Sequence, residues 1–518
     1  MKTVLELDHK EARRFFLDNK SYVNFDLPEY FDFSRVLQSL STTIGKHRIN
    51  EFFEKNGKVP INPKDEYGVN RKILGNKDGE LAWRPFEIIN PALYVALVHL
   101  ITEESHWELL RERFKVLKVS QIDVASIPVQ KSKKKSAKAE QIRAWWEKFE
   151  QNCVAQGLEF DYVYETDVAD CYSSIYTHAI TWAIYGKDNA YANRGNTSSL
   201  GYRIDEFYQM MHHRQTNGIP QGSTLSDFIA ELIFAYVDNL LVAKIDTLKS
   251  IQADDYRIIR YRDDYRIFTN KPDVGARILK ELTEILADVG LKLNSQKTKR
   301  SDDIIRSSVK ADKIDELFIP NIKQEKDNFA KWLMQIYAST HKHPNSGKTS
   351  RQLTQFHKEL LEYVELGNSL RHYERADVMM SIVTNIALRN PRYYNVAMAV
   401  ASVIVRAASG GQRKQLLKKT LRKFDNTPNT GLLDIWVQRI SYAIDPDKKF
   451  DEPLTDTING GANVDNGAIW NTDWLKPILR DLIKNTSLVD VAALHKIQTD
   501  QKIAMSIDEV DLFTDIPS

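Results

Sequence analysis

The sequence predicts a mixed α+β front followed by an all-helical back, and three observations carry that prediction. Between about residues 160 and 300, short β-branched and aromatic runs alternate with segments of helical period. Beyond about residue 320, successive amphipathic segments split by Gly, Pro or Asn follow one another without a strand pattern. A chain of 518 residues is too long for one ordinary core.

Composition narrows the function classes. Hydrophobic residues make up 42% and charged residues 27%, the proportions of a soluble globular protein rather than a disordered one. The net charge of +2 leaves any nucleic-acid contact to local basic clusters. Cys153 and Cys171 lack CxxC spacing, so they build neither a zinc site nor a disulfide framework. The opening MKTVLELDHKEARRFF has no secretion-signal pattern, and the apolar run AMAVASVIV stops at Arg406. The expectation is a soluble intracellular protein without a membrane partner.

The elements follow in order. Residues 1–70 alternate helical patterns with Pro and Asn loops and form an N-terminal helical extension. RKILGNKDGELAWRPFEII, from Arg71, is two extended segments around Asp78-Gly79, a pair suited to a hairpin turn. A helical pattern runs from Leu93 to Lys118. KSKKKSAK, Lys131 to Lys138, holds five lysines and no acid, which fits a solvated loop or a phosphate-backbone contact equally well. Helical periodicity returns from Ile142 to Gln156 with Trp145 and Trp146. An alternating strand, Tyr162 to Thr166, ends at Asp167 and gives way to a helix start near Ser173-Ser174. TNGIPQGSTLSDFIAELIFAYVD places Gly218, Pro220 and Gly222 in a rigid turn before an apolar helix starting near Ser226. The back half reads as antiparallel helix pairs, an α-solenoid or irregular bundle. Its tail, from Asp451, is loop-like until a final helix or two beyond Trp474.

Three Asp-Asp pairs occur, and their contexts differ. Asp254-Asp255 and Asp302-Asp303 sit in polar stretches and read as solvated surface. Asp263-Asp264 sits inside IIRYRDDYRIF, a strand–tight turn–strand pattern with the acids at the turn. Like charges held there need a compensating cation. One of the nearby Arg260, Arg262 and Arg266 could supply it. A second acid, Asp167, at the end of another strand suits a pair of divalent cations instead, since Mg²⁺ takes oxygen ligands and pairs one or two carboxylates with substrate phosphates.

This ordered set resembles the palm of reverse transcriptases, the right-hand polymerase fold. Asp167 and Tyr172 match motif A, GIPQGS (Gly218 to Ser223) matches motif B, and Tyr261-Arg262-Asp263-Asp264 matches the YxDD motif C. ILADVGLKLNSQKTK, with Gly290, Leu291, Asn294 and Lys297, looks like motif D, and Arg71 to Pro91 looks like the fingers hairpin. The resemblance covers about residues 70–300. It implies fingers over 71–160, a palm over 161–305 and a helical region over 306–518. It also implies that Asp167, Asp263 and Asp264 are catalytic and bind two Mg²⁺ ions, with Mn²⁺ as a substitute and the Val168 carbonyl as a further ligand. Tyr172 takes the sugar-gate position that favours dNTP substrates. Gln221 and Gly222 lie along the nucleotide, and Arg84 with Lys72 or Arg71 holds its phosphates. Lys297 protonates pyrophosphate or is a plain surface lysine.

Retroviral and group II intron accessory domains are absent from the sequence pattern. The continuation CYSSIYTHAI after Asp170 and the helical array containing DIWVQRI, Asp434 to Ile440, resemble bacterial abortive-infection (Abi) reverse transcriptases of the AbiK-like, prophage-encoded type. Their helical domain is HEAT-like. That resemblance implies anti-phage defence in the bacterial cytoplasm and template-independent synthesis of single-stranded DNA. It further implies priming from a tyrosine of the chain, covalent attachment of the product, and a homo-oligomer, trimer or hexamer. No priming tyrosine is singled out. Two alternatives stay open: an RNA-templated, nucleic-acid-primed enzyme, and a non-catalytic helical-repeat scaffold.

Overall fold

The computed structural model describes residues 2–130, 146–318, 328–371, 374–458, 466, 469–499 and 502–510. The lysine run 131–138, Trp145 and much of the tail loop lie outside the described residues.

Strands β1 (Arg71–Asn76) and β2 (Trp83–Ile88) form the expected antiparallel hairpin. Its turn depends on Gly79 at φ +84° and on Asn76 Oδ1, which accepts the N–H groups of Asp78 at 3.1 Å and Gly79 at 2.6 Å. The apolar helix α1 (Pro91–Ile101) follows, capped by the Asn90 side chain.

A five-stranded sheet stands behind the hairpin. It contains β3 (Ile122–Val124), β4 (Tyr162–Asp167), β5 (Tyr256–Tyr261), β6 (Asp264–Thr269) and β7 (Lys299–Ser301), in the order β3-β5-β6-β4-β7. Only the β3–β5 pairing is parallel. The alternation of β5 and β6 buries both faces. Ile258, Tyr265 and Ile267 join the main core, whereas Val163, Ile259 and Phe268 pack on Phe149 and Cys153 on the reverse side. The main-core face is covered by α2 (Thr224–Asp246) and α3 (Pro272–Asp288).

Six helices build the back: α4 (Phe329–Lys342), α5 (Gly347–Glu365), α6 (Ala376–Arg389), α7 (Tyr394–Ala407), α8 (Gly410–Phe424) and α9 (Gly431–Ser441). They enclose a second core centred on α7, which is mostly apolar and buried all round from Tyr394 to Val405. The sequence segmentation treats 306–518 as one unit, but the described stretch from Leu454 to Ile497 contributes to the first core, and the chain returns to the second at Ile503, Met505 and Val510. Trp470, Trp474, Leu479 and Ile483 belong to the first core, and Trp470 Nε1 donates to the Ile88 carbonyl at 3.0 Å. Within DIWVQRI, Gln438 accepts a hydrogen bond from the buried Tyr30 hydroxyl at 2.8 Å. Arg439 makes a two-pronged ion pair with Glu509 at 2.8 and 3.0 Å. This segment therefore ties the helices to both ends of the chain. Among the described residues no helix is long and apolar enough to cross a membrane.

Candidate active site

The β5–β6 turn carries the acids. Tyr261 pairs with Asp264 across the ladder, so Arg262 and Asp263 form the two-residue link. Arg262 takes φ +54°, a left-handed conformation that a non-glycine residue holds only when its surroundings compensate. Those surroundings are visible. The Arg262 N–H donates to Ser126 Oγ at 2.8 Å, its carbonyl accepts from Arg260 Nη1 at 3.0 Å, and its Nη2 pairs with Asp227 at 2.9 Å.

The sheet register then brings the third carboxylate in. Asp167 is the direct ladder partner of Asp264, and Val168 N–H donates to the Asp263 carbonyl at 3.0 Å. Burial pushes Asp263 above the ordinary carboxylate range, and the neighbouring Asp167 adds to the shift. Burial pushes Asp264 up to about 6; Arg266 opposes the shift, while Asp263 and Asp167 reinforce it. The other two Asp pairs serve local structure: Asp255 ion-pairs with Lys271 at 2.6 Å, and Asp303 caps the short helix that follows it.

Asp167 Oδ1 is buried and has no hydrogen-bond partner, while Oδ2 accepts from Lys297 Nζ at 2.5 Å. An orphaned carboxylate oxygen facing two more acids fits a hard cation with oxygen ligands. Among the described residues, no three His, Cys, Asp or Glu side chains converge into a preformed cage. Mg²⁺ ordinarily takes one or two carboxylates and completes its shell with waters and substrate phosphates. Lys297 belongs to the loop expected to resemble motif D. That loop seats on Asp167 through Asn294 N–H, which donates to the Asp167 carbonyl at 2.8 Å.

Tyr172 lies beside these acids, 9% exposed, with its hydroxyl donating to Asp227 Oδ1 at 2.5 Å. Burial and the Asp227 charge push the phenol well above its usual range, so it stays protonated as the donor. Asp227 also accepts from Asn24 Nδ2 at 3.0 Å. It lies in the first turn of α2, where the helix N-terminus favours an acid. Sequence reasoning missed it, although an acid four residues after Gly222–Ser223 was a readable signal. Gln221 is half-buried, and its carbonyl accepts from Glu87 N–H at 2.7 Å. Gly222 takes φ +135°, and a Cβ there would lie 3.0 Å from the Glu87 carbonyl oxygen. These bonds hold the GIPQG turn against the fingers hairpin.

The hairpin cations separate. Arg84 faces Gly75 and shares a strand face with Arg71, whereas Lys72 faces Glu87 on the opposite face. Arg71 is committed to Glu452, with Nε at 3.0 Å and Nη2 at 2.6 Å from the carboxylate. Arg84 is the one within electrostatic reach of Asp263. The structure thus gathers Asp167, Val168, Asp263, Asp264, Tyr172, Arg84 and Lys297, and places Lys72 apart from Arg84.

Beneath the turn lies a second feature that sequence reasoning missed. Arg260 is fully buried, with Nε 2.8 Å from Asp238 and Nη1 3.1 Å from Glu231, both on α2. This network anchors the β5–β6 hairpin to the helix that follows GIPQGS.

Residues 111–325 match the family described as "Reverse transcriptase (RNA-dependent DNA polymerase)". Residues 111–325 thus match a reverse-transcriptase domain, and a largely helical region follows them. No curated protein matches the chain. Among solved structures, apo telomerase from Candida tropicalis aligns over 79% of this chain and 77% of its own, at 13% identity and a TM-score of 0.32. Candida albicans telomerase in complex with a fragment of telomeric RNA aligns over 78% of this chain and 68% of its own, at 13% identity and a TM-score of 0.29. At these scores the likeness carries no functional weight.

Proposed function

We propose that the chain is a DNA-synthesising nucleotidyltransferase that joins dNTPs at the Asp167–Asp263–Asp264 site. The observation that carries this reading is the register pairing of Asp167 with Asp264, one residue from Asp263, with an unpartnered oxygen left on Asp167. Asp167, Asp263, Asp264 and the Val168 carbonyl would hold two Mg²⁺ ions. When bound, such ions activate the attacking hydroxyl and neutralise charge on the phosphates. The chain's own groups do the rest. Arg84 binds phosphate oxygens, and Lys297, already at Asp167, is placed to hand a proton to the leaving group. Tyr172 closes the sugar pocket. Its ring is fixed at both ends, by burial and by Asp227, so a ribose 2′-hydroxyl meets a wall that cannot swing away.

Template-independent, protein-primed synthesis in anti-phage abortive infection is the finer part of the proposal, together with a homo-oligomeric state. It is supported by the resemblance of CYSSIYTHAI and the helical back half to that class. The test is incubation of the purified chain with Mg²⁺ and labelled dNTPs, with and without RNA template and primer. Label attached covalently to protein without template supports the full proposal. Strict dependence on added RNA replaces its finer part with a templated enzyme. No incorporation under any condition refutes the polymerase reading itself.

A further inference from the structure

Two exposed arginines from opposite halves of the chain stand on structural units that pack against each other, the hairpin and the turn Pro391–Tyr393. Arg84 is on β2, and Arg392 is in the tight turn between α6 and α7. After desolvation, the Arg392 charge is the strongest influence depressing Arg84, ahead of Arg262, and Asp263 acts in the opposite sense. Among the described residues, neither guanidinium has an ion-pair partner. Both lie open to solvent, so their mutual repulsion is screened in the free chain and both forks are available to an anion.

The geometry that holds them together is specific. Asn345, at φ +55°, works as a clasp between the hairpin and the helical region. Its Nδ2 donates to the Lys77 carbonyl in the hairpin turn at 3.1 Å, and its Oδ1 accepts from Arg392 N–H at 3.1 Å. Its N–H donates to Asn390 Oδ1 at 2.7 Å, and its carbonyl accepts from the Tyr393 hydroxyl at 3.1 Å. Gly79 at the hairpin tip packs so closely on α6 that a Cβ would lie 2.2 Å from the Leu388 carbonyl oxygen. On the other side of the hairpin, Asn76 N–H donates to the Asn429 carbonyl at 2.8 Å. The hairpin is thus gripped by the helical region on two sides.

We infer that the helical region completes a two-armed anion site, in which Arg392 and Arg84 together bind the triphosphate tail of the incoming nucleotide. The inference rests on the nucleotidyltransferase reading for the identity of the ligand, but its chemistry is that of any polyphosphate. Each guanidinium offers a planar fork to phosphate oxygens, and a tail of several negative charges relieves their mutual repulsion. Docking of the helical region then becomes a condition for holding substrate, which couples the two halves of the chain.

The test is calorimetric titration of the full chain with inorganic tripolyphosphate in Mg²⁺, beside the Arg392→Gln, Arg392→Lys and Arg84→Gln variants. Arg392→Gln is expected to weaken binding roughly tenfold, the scale of one charge-assisted hydrogen bond, with Lys restoring part of the loss. Gly79→Ala should weaken binding too, although both arginines remain, because it forces the hairpin off α6. In incorporation assays Arg392→Gln should raise the dNTP KM more than it lowers kcat. Arg392→Gln binding as tightly as wild type, or wild type that does not bind tripolyphosphate, overturns the inference. Arg392-dependent binding by a chain that incorporates no dNTP upholds it and refutes the polymerase reading alone.

Discussion

Replacing Arg260 by leucine should destabilise the chain more than any substitution at the exposed rim of the site. The Arg260, Glu231 and Asp238 side chains are 0%, 2% and 3% exposed, so no water takes over when the cation is removed. Two carboxylates would be left in a low-dielectric core, and breaking such a pair costs about 3–5 kcal/mol. The Arg262 carbonyl also loses a charged donor, at a cost of about 1.5–3 kcal/mol taken alone, although the two losses are not additive. A net loss of about 4 kcal/mol is expected in urea unfolding followed by tryptophan fluorescence. The control is the triple variant Arg260→Met, Glu231→Leu and Asp238→Leu, which removes every charge. It should be clearly more stable than Arg260→Leu, because the fully apolar replacement leaves no buried charge and only two neutral groups unpaired, the Tyr265 hydroxyl without its acceptor and the Arg262 carbonyl without its donor. The deficit of Arg260→Leu should shrink as pH falls, since burial raises the folded-state pKa of an orphaned carboxylate and protonation removes its charge. A single variant within about 1 kcal/mol of wild type at neutral pH would refute the reasoning, because it would mean that the network contributes nothing net.

Asp263→Asn and Asp167→Asn should abolish incorporation while leaving the unfolding midpoint unchanged or raised, since each relieves like-charge repulsion at the turn; a lowered midpoint with activity retained would contradict both roles. Asp264 has a folded pKa of about 6, raised above its unfolded value, so its contribution to stability is lost as pH rises from about 4 to about 6. Compared with Asp264→Asn, the metal-free wild type should therefore lose stability as pH rises over that window, as read by parallel melts. Tyr172→Ala should lower the preference for dNTP over NTP by at least about tenfold, about 1.4 kcal/mol, measured as a ratio of kcat/KM values. Gly222→Ala places a methyl 3.0 Å from both the Glu87 carbonyl oxygen and Phe25 at φ +135°, and should cost about 1–3 kcal/mol in a thermal melt.

The juxtaposition of Asp167, Asp263 and Asp264 was legible because their placement is local. Asp263 and Asp264 sit on a tight hairpin whose alternation is written in IIRYRDDYRIF, and Asp167 ends a strand whose own alternation sets its face. Two-residue periodicity could also have separated Lys72 from Arg84, since strand parity alone places them on opposite faces once the hairpin turn is fixed. What stayed hidden depends on partners far along the chain. Arg71 reads as an exposed strand cation until Glu452 arrives from the other end, and Trp470 and Trp474 read as part of the helical back until they fill the core beneath β2. Periodicity says that a face is apolar but not which face it will meet. The same limit conceals Arg260, whose arginine inside an apolar strand looks like a break in the pattern. Its two acids lie on α2, seven residues apart and so two helical turns along one face, which is the spacing a single guanidinium can bridge. A buried arginine beneath the Arg262–Asp263 turn thus joins the YxDD hairpin to the helix that begins after GIPQGS. One buried ion network therefore holds both motifs.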